Sequence, residues 1–187
     1  TMETYGHQPH GVPFTEETVQ RPAAPYAVAK VAAEKYLAYM DYAYGFPSTI
    51  LRQTNTYGRS DNDFFVVERI ITQMLRQDTV RLGEPDPWRN FLHISDLVDL
   101  YENVVLQRPV GETFVTGPDN ALPIRELADL CRTLTGFAGN IEWNTIPKRP
   151  GEIYYLNSDP THAGEVLGWA PKVELEEGLA ATVDLWR

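Results

Sequence analysis

Tyr26 and Lys30 are the residues whose types and spacing offer chemistry most directly, because Tyr26-Ala27-Val28-Ala29-Lys30 sets a phenol and an ammonium four residues apart. On a helix, residues four apart share one face, one turn from each other. A free phenol, with a pKa of about 10, is a poor base at neutral pH, and a neighbouring cation favours its phenolate. Such a pair can take the proton of a substrate alcohol as hydride leaves the carbon. Of the ten tyrosines, only Tyr26 has a lysine four residues on. The same spacing also suits a half-buried helix whose lysine stem lies along apolar surface, so the pair alone leaves both readings open.

The helix that must carry the pair is strongly marked. Pro25 to Tyr44 is rich in Ala, Glu, Lys and Leu, with Pro25 fit for the first turn and Gly45 at the stop. Tyr36, Tyr39 and Tyr42 form an aromatic stripe along it, which is expected to pack. Thr1 to Gln20, full of Gly, Pro, His and Thr, is read as loop. Ser48 to Gln53 is read as a buried strand. Apolar spacing predicts a helix over Phe64 to Arg76, and further helices over Asp96 to Leu106, Pro123 to Leu134, Pro160 to Leu167 and Leu175 to Trp186. Strands are expected at Val80 to Leu82, Asn90 to Ile94, Gly111 to Gly117 and Ile141 to Ile146. Alternating strands and helices make the class α/β.

Composition excludes several functions. The chain is 43% hydrophobic and 22% charged, values of a soluble globular protein. A formal net charge of -10 opposes binding to nucleic acid, although a few local arginines suffice for a phosphorylated small molecule. The single cysteine, Cys131, excludes an internal disulfide and fits a reducing compartment. No apolar run is long enough to span a membrane, and the expected location is cytoplasmic. No metal site is expected: His7 and His10 lack a third ligand at suitable spacing and read as solvated loop residues. His93 and His162 are isolated and read as structural. No Gly-x-Ser-x-Gly elbow supports a serine hydrolase.

Five blocks in order carry a resemblance. They are Thr1-Met2-Glu3-Thr4-Tyr5-Gly6, Pro25 to Lys30, Leu51-Arg52-Gln53-Thr54-Asn55-Thr56-Tyr57-Gly58, Trp88-Arg89-Asn90-Phe91-Leu92-His93-Ile94-Ser95-Asp96-Leu97, and Arg149-Pro150-Gly151-Glu152 with Leu167-Gly168-Trp169-Ala170-Pro171. Together they resemble the extended short-chain dehydrogenase/reductase family of nucleotide-sugar epimerases, dehydratases and decarboxylases, over essentially the whole chain. The resemblance implies a partial Rossmann-like parallel sheet. Residues 1–60 would be the C-terminal part of the catalytic domain, and 61–187 mainly a substrate-binding region with interleaved elements. It implies that Tyr26 is the acid/base and that Lys30 holds the nicotinamide ribose of NAD, NADP remaining open. Thr1 would hydrogen-bond the reacting oxygen, and Gln53 would lie beside the cofactor. Asn55, Arg89 and Arg149 would contact the phosphates or sugar of a nucleotide-sugar substrate. In relatives the helices at 25–44 and 64–76 often meet a second subunit, which implies a homodimer.

Departures from the family pattern bear on the reaction. Glu3 stands where dehydratases place a catalytic glutamate, but Met2 replaces the neighbouring proton donor and a thioether donates none. That favours epimerisation. Gln53-Thr54 replaces aromatic residues common beside the nicotinamide, and Asn90 replaces an aspartate. The glycine-rich dinucleotide turn of the family is absent from these residues. The expectation is therefore a catalytic half whose dinucleotide-binding half lies elsewhere: in a longer chain, in a partner chain, or lost from a module retained for non-catalytic nucleotide-sugar binding or assembly.

Overall fold

Pro25–Tyr44 forms the longest helix, α1, entered through Pro25 and closed by Gly45 in the left-handed region at φ 63°. The Gly45 N–H caps the Asp41 carbonyl at 2.7 Å. The computed structural model describes all 187 residues, Thr1–Arg187. Only Ala27 of α1 is buried, so this helix lies on the outside of the chain's own core.

Eight short strands follow. Ile50–Gln53 (β1) runs parallel to Thr113–Thr116 (β6), with Ile50 opposite Thr113 and Gln53 opposite Thr116. Asn55–Tyr57 (β2) pairs in parallel with Phe91–His93 (β5). Thr79–Arg81 (β3) pairs in parallel with Asn140–Glu142 (β8). Trp88–Arg89 (β4) and Leu122–Pro123 (β7) form the one antiparallel pair. Parallel partners need long crossovers, and helices supply them. These are Val66–Arg76 (α2), Ile94–Gln107 (α3) and Ile124–Thr135 (α4), followed by Thr161–Leu167 (α5) and Leu175–Trp186 (α6). The α/β class and the parallel pairing agree with the sequence.

The main core lies among α2, α4 and α6, where Val67, Ile70, Ile71, Leu127, Cys131, Leu179 and Val183 meet Tyr57 of β2 and Val80 of β3. Each such side chain contributes about 1.5–3 kcal/mol on leaving water. A second cluster corrects the loop reading of the first twenty residues. Met2–Tyr5 forms a 3-10 turn, and Met2, Tyr5 and Phe14 are buried with Val115, Ile153, Tyr155 and Leu156. His10 is an exposed turn residue, as read, and its ring lies 4.6 Å from that of Tyr155 and 5.1 Å from that of Trp88. The tyrosine stripe does not pack: Tyr36, Tyr39 and Tyr42 are 63%, 52% and 90% exposed, because they fall on the outer face of α1. Ser48–Gln53 is less buried than read, with Arg52 its one buried residue and the strand starting at Ile50.

The isolated histidines have local structural partners. His93 caps α3, its Nδ1 accepting from the Ser95 N–H. The His162 ring stacks on Phe114, and its Nε2 lies 3.0 Å from a Glu112 carboxylate oxygen.

Candidate active site

The N-terminus of α1 opens onto a cleft of about 1100 Å³. All eight residues singled out in the sequence line it: Thr1, Glu3, Tyr26, Lys30, Gln53, Asn55, Arg89 and Arg149. Five separate segments bring them there. The 3-10 turn carries Glu3, with the Thr1 side chain accepting from the Glu3 N–H at its start. Helix α1 presents Tyr26, which is 53% exposed, and Lys30, whose Nζ stands 5.6 Å from the Tyr26 ring centroid.

The third segment is the β1–β2 run, where the backbone changes partner at Thr54. The Thr54 N–H still bonds to the Thr116 carbonyl beside β1, while the next residue, Asn55, already pairs with Phe91. The switch is fastened by Asn90, which is fully buried. The Thr54 hydroxyl bonds to the Asn90 side-chain oxygen, and the Asn90 amide donates to the Pro118 carbonyl at 2.8 Å and to the Ser158 hydroxyl at 2.5 Å. An asparagine can donate as well as accept, so it satisfies three partners at this spot. Gln53 does not point freely into the cleft, because its amide donates to the Tyr101 hydroxyl at 2.5 Å.

The arginines come from the fourth and fifth segments, β4 and the Arg149–Glu152 loop. Arg89 Nη2 donates to Glu152 at 2.7 Å and Nη1 to the Trp88 carbonyl at 2.8 Å. Burial pushes the Arg89 guanidinium below its ordinary value; Glu152 and Glu3 pull it up, and Arg149 pushes it down. Two guanidiniums and two carboxylates thus share one electrostatic neighbourhood. The Arg149–Glu152 loop is pressed against the entry to α1: Gly151, at φ 77°, leaves no room for a Cβ beside the Ala23 carbonyl.

Several cleft residues carry no role in the sequence reading. Glu152, the last residue of the Arg149-Pro150-Gly151-Glu152 segment, pairs with Arg89 at the cleft. Tyr101 is on α3, and Arg59, Phe64 and Phe65 line the cleft between β2 and α2. Arg59 lies 4.3 Å from the Phe65 ring centroid, and its backbone N–H is held by Glu68, a fully buried carboxylate. Glu34 follows Lys30 by four residues, so the helical spacing that found Lys30 could have found it too. Burial alone would raise the Glu34 carboxyl, but hydrogen bonds from Arg52 and Gln20 outweigh that and hold it below the ordinary carboxylate value.

A family description, that of GDP-mannose 4,6 dehydratase, matches residues 1–182. A UDP-glucose 4-epimerase of Mycolicibacterium smegmatis is 32% identical over 98% of this chain and 59% of its own. A dTDP-glucose 4,6-dehydratase of Streptomyces niveus is 31% identical over 100% of this chain and 55% of its own. Among solved structures, a UDP-glucose 4-epimerase of Thermus thermophilus in complex with NAD superposes with a TM-score of 0.89 at 26% identity, covering 97% of this chain and 60% of that one. The chain therefore spans somewhat under three fifths of the length of these two curated relatives. It belongs to the extended short-chain dehydrogenase/reductase family of nucleotide-sugar epimerases and dehydratases.

Proposed function

We propose that this chain is the catalytic and substrate-binding part of an NAD-dependent nucleotide-sugar epimerase that works through a keto-sugar. The observation carrying this reading is the convergence of Tyr26, Lys30, Thr1, Arg89 and Arg149 on one cleft. At about 1100 Å³ the cleft exceeds the usual ~300–1000 Å³ of a single-ligand pocket, which fits a sugar nucleotide beside the reactive end of a dinucleotide. NAD, held at its nicotinamide ribose by Lys30, would supply the hydride acceptor and donor of the reaction.

The chain's own residues move the proton and hold the substrate. Tyr26, as the acid/base, takes the proton of the reacting sugar hydroxyl and gives it back after the keto-sugar has turned over. Lys30 supplies positive charge one helical turn away and is positioned to hold the nicotinamide ribose. Thr1 hydrogen-bonds the reacting oxygen. Arg89 and Arg149 clamp the diphosphate through charge-assisted bonds, with Asn55 alongside. Gln53, held by Tyr101, forms the floor beside the cofactor.

Epimerisation is favoured over dehydration because Met2 is 1% exposed and packs in the core with Tyr5 and Phe14. No proton donor stands there to protonate a departing hydroxyl, whereas Glu3, which lines the cleft, would serve as the base of a dehydratase. The dinucleotide-binding half is assigned to sequence outside these residues, because the family's glycine-rich dinucleotide turn is not among them and the chain spans under three fifths of its curated relatives. The exposed tyrosines of α1 support a homodimer. The test incubates the NAD-bound enzyme with UDP-, dTDP- and GDP-hexoses and identifies the products. An epimer is the expected product; a 4-keto-6-deoxy sugar, or no conversion of any of them, contradicts the reading.

A further inference from the structure

Helix α1 carries the catalytic pair yet buries only Ala27 within this chain, so apolar packing from the chain itself does little to fix its rotation and depth. One ion pair ties it to the rest of the chain. Glu34 lies one turn beyond Lys30 on the face that holds Tyr26, and it receives a two-pronged contact from Arg52 of β1. Arg52 Nη2 donates to Glu34 Oε2 at 2.8 Å and Nε donates to Oε1 at 3.2 Å. Both side chains are nearly enclosed, at 11% and 12% exposure. A planar guanidinium meeting both oxygens of a carboxylate fixes orientation as well as distance.

The pair is also tied to the N-terminal turn of the site. Arg52 Nη1 donates to the Tyr5 hydroxyl at 2.9 Å and approaches the Glu16 carbonyl at 3.4 Å. Gln20 donates to Glu34 Oε2 at 2.7 Å. Tyr5 closes the turn that begins at Thr1 and Glu3, and Arg52 immediately precedes Gln53. One ion pair therefore joins α1, β1 and the N-terminal turn, the three segments that bring Tyr26, Gln53 and Thr1 to the cleft.

We propose that Glu34 and Arg52 are positioning residues, which set Tyr26 and Lys30 against Thr1 without touching substrate. The proposal rests on the reading of Tyr26 as acid/base, but its test needs no turnover, so the two can fail separately. Backbone hydrogen exchange of the whole chain is measured for wild type, Arg52→Met, Arg52→Lys and Glu34→Gln. In parallel, ring-labelled tyrosine spectra follow the Tyr26 signal, identified by its loss in Tyr26→Phe.

Arg52→Met leaves Glu34 enclosed without its counter-ion, and α1 amides are expected to exchange at least roughly tenfold faster relative to those of α2 and α4. The Tyr26 signal is expected to move, and Arg52→Lys to restore part of both effects. Should Arg52→Met fail to fold, Glu34→Gln, which keeps its size and one acceptor oxygen, carries the same expectations. The proposal is overturned if α1 exchange is unchanged, if α1 is unprotected already in wild type, if α1, α2 and α4 lose protection equally, or if the Tyr26 signal stays in place.

Discussion

Lys30 Nζ stands 5.6 Å from the centroid of the Tyr26 ring, one turn along α1 and on the side facing the cleft. That relationship makes Tyr26→Phe the first variant to examine. The hydroxyl is the only group removed, and Tyr26 is 53% exposed, so the fold should be unaffected. Turnover by the NAD-bound enzyme is expected to fall by about 10²–10⁴-fold or more with an unchanged melting temperature. A comparable kcat for the variant would remove Tyr26 from the mechanism.

Nucleotide binding should depend on Arg149 more simply than on Arg89. Arg149 carries no ion pair within the chain, whereas Arg89 is bonded to Glu152. Arg149→Ala is expected to weaken UDP binding by roughly ten- to a hundredfold, the loss of a charge-assisted contact. Arg89→Ala should do the same and also lower stability, because it strands Glu152 in a half-buried site. Calorimetric titration of UDP, paired with thermal melts of both variants, separates the two effects.

Acid should release the Glu34–Arg52 pair. The Glu34 carboxyl is held below its ordinary value of 4.5 in the fold, so the unfolded chain binds its proton first as pH falls. The stabilisation is therefore complete above that value and is lost as pH drops through the lower folded value. Wild type should exceed Glu34→Gln in urea stability near pH 7, and the gap should shrink below pH 4.5. A gap independent of pH would show that Glu34 is not ionised in the fold.

Gly178 lies within α6, where alanine would ordinarily add about 1 kcal/mol of helix propensity. A Cβ there would collide with the Tyr57 hydroxyl and reach within 2.9 Å of its ring carbon Cζ. Tyr57 is 1% exposed and cannot swing away. Gly178→Ala is expected to destabilise by about 1–3 kcal/mol in denaturant unfolding, against the propensity.

Much of the local structure can be read from the chain, because local signals decide it. Pro25, the alanines and Gly45 mark α1 to the residue, and the apolar spacing of Phe64, Val67, Ile71, Met74 and Leu75 marks α2, which starts two residues later than read, at Val66. The errors arise where long-range contacts override local composition. The first twenty residues look like loop, yet Met2, Tyr5 and Phe14 are buried by Val115 and Ile153 from distant parts of the sequence. The tyrosines of α1 have core-like spacing, but no part of the chain covers their face. The partner switch at Thr54 depends on Asn90, Pro118 and Ser158, which no spacing rule connects. The family blocks named the cleft residues, while Glu34–Arg52 had to be seen in three dimensions because its partners sit on different elements.

Whether this cleft is a nucleotide-sugar site is decided by calorimetric titration of UDP-glucose into the 187-residue chain and into its Arg149→Ala variant. Saturable one-to-one binding is expected for the wild-type chain, with a loss of roughly tenfold or more in the variant. Absence of binding to a folded wild-type chain, or equal affinity in both proteins, would contradict the assignment.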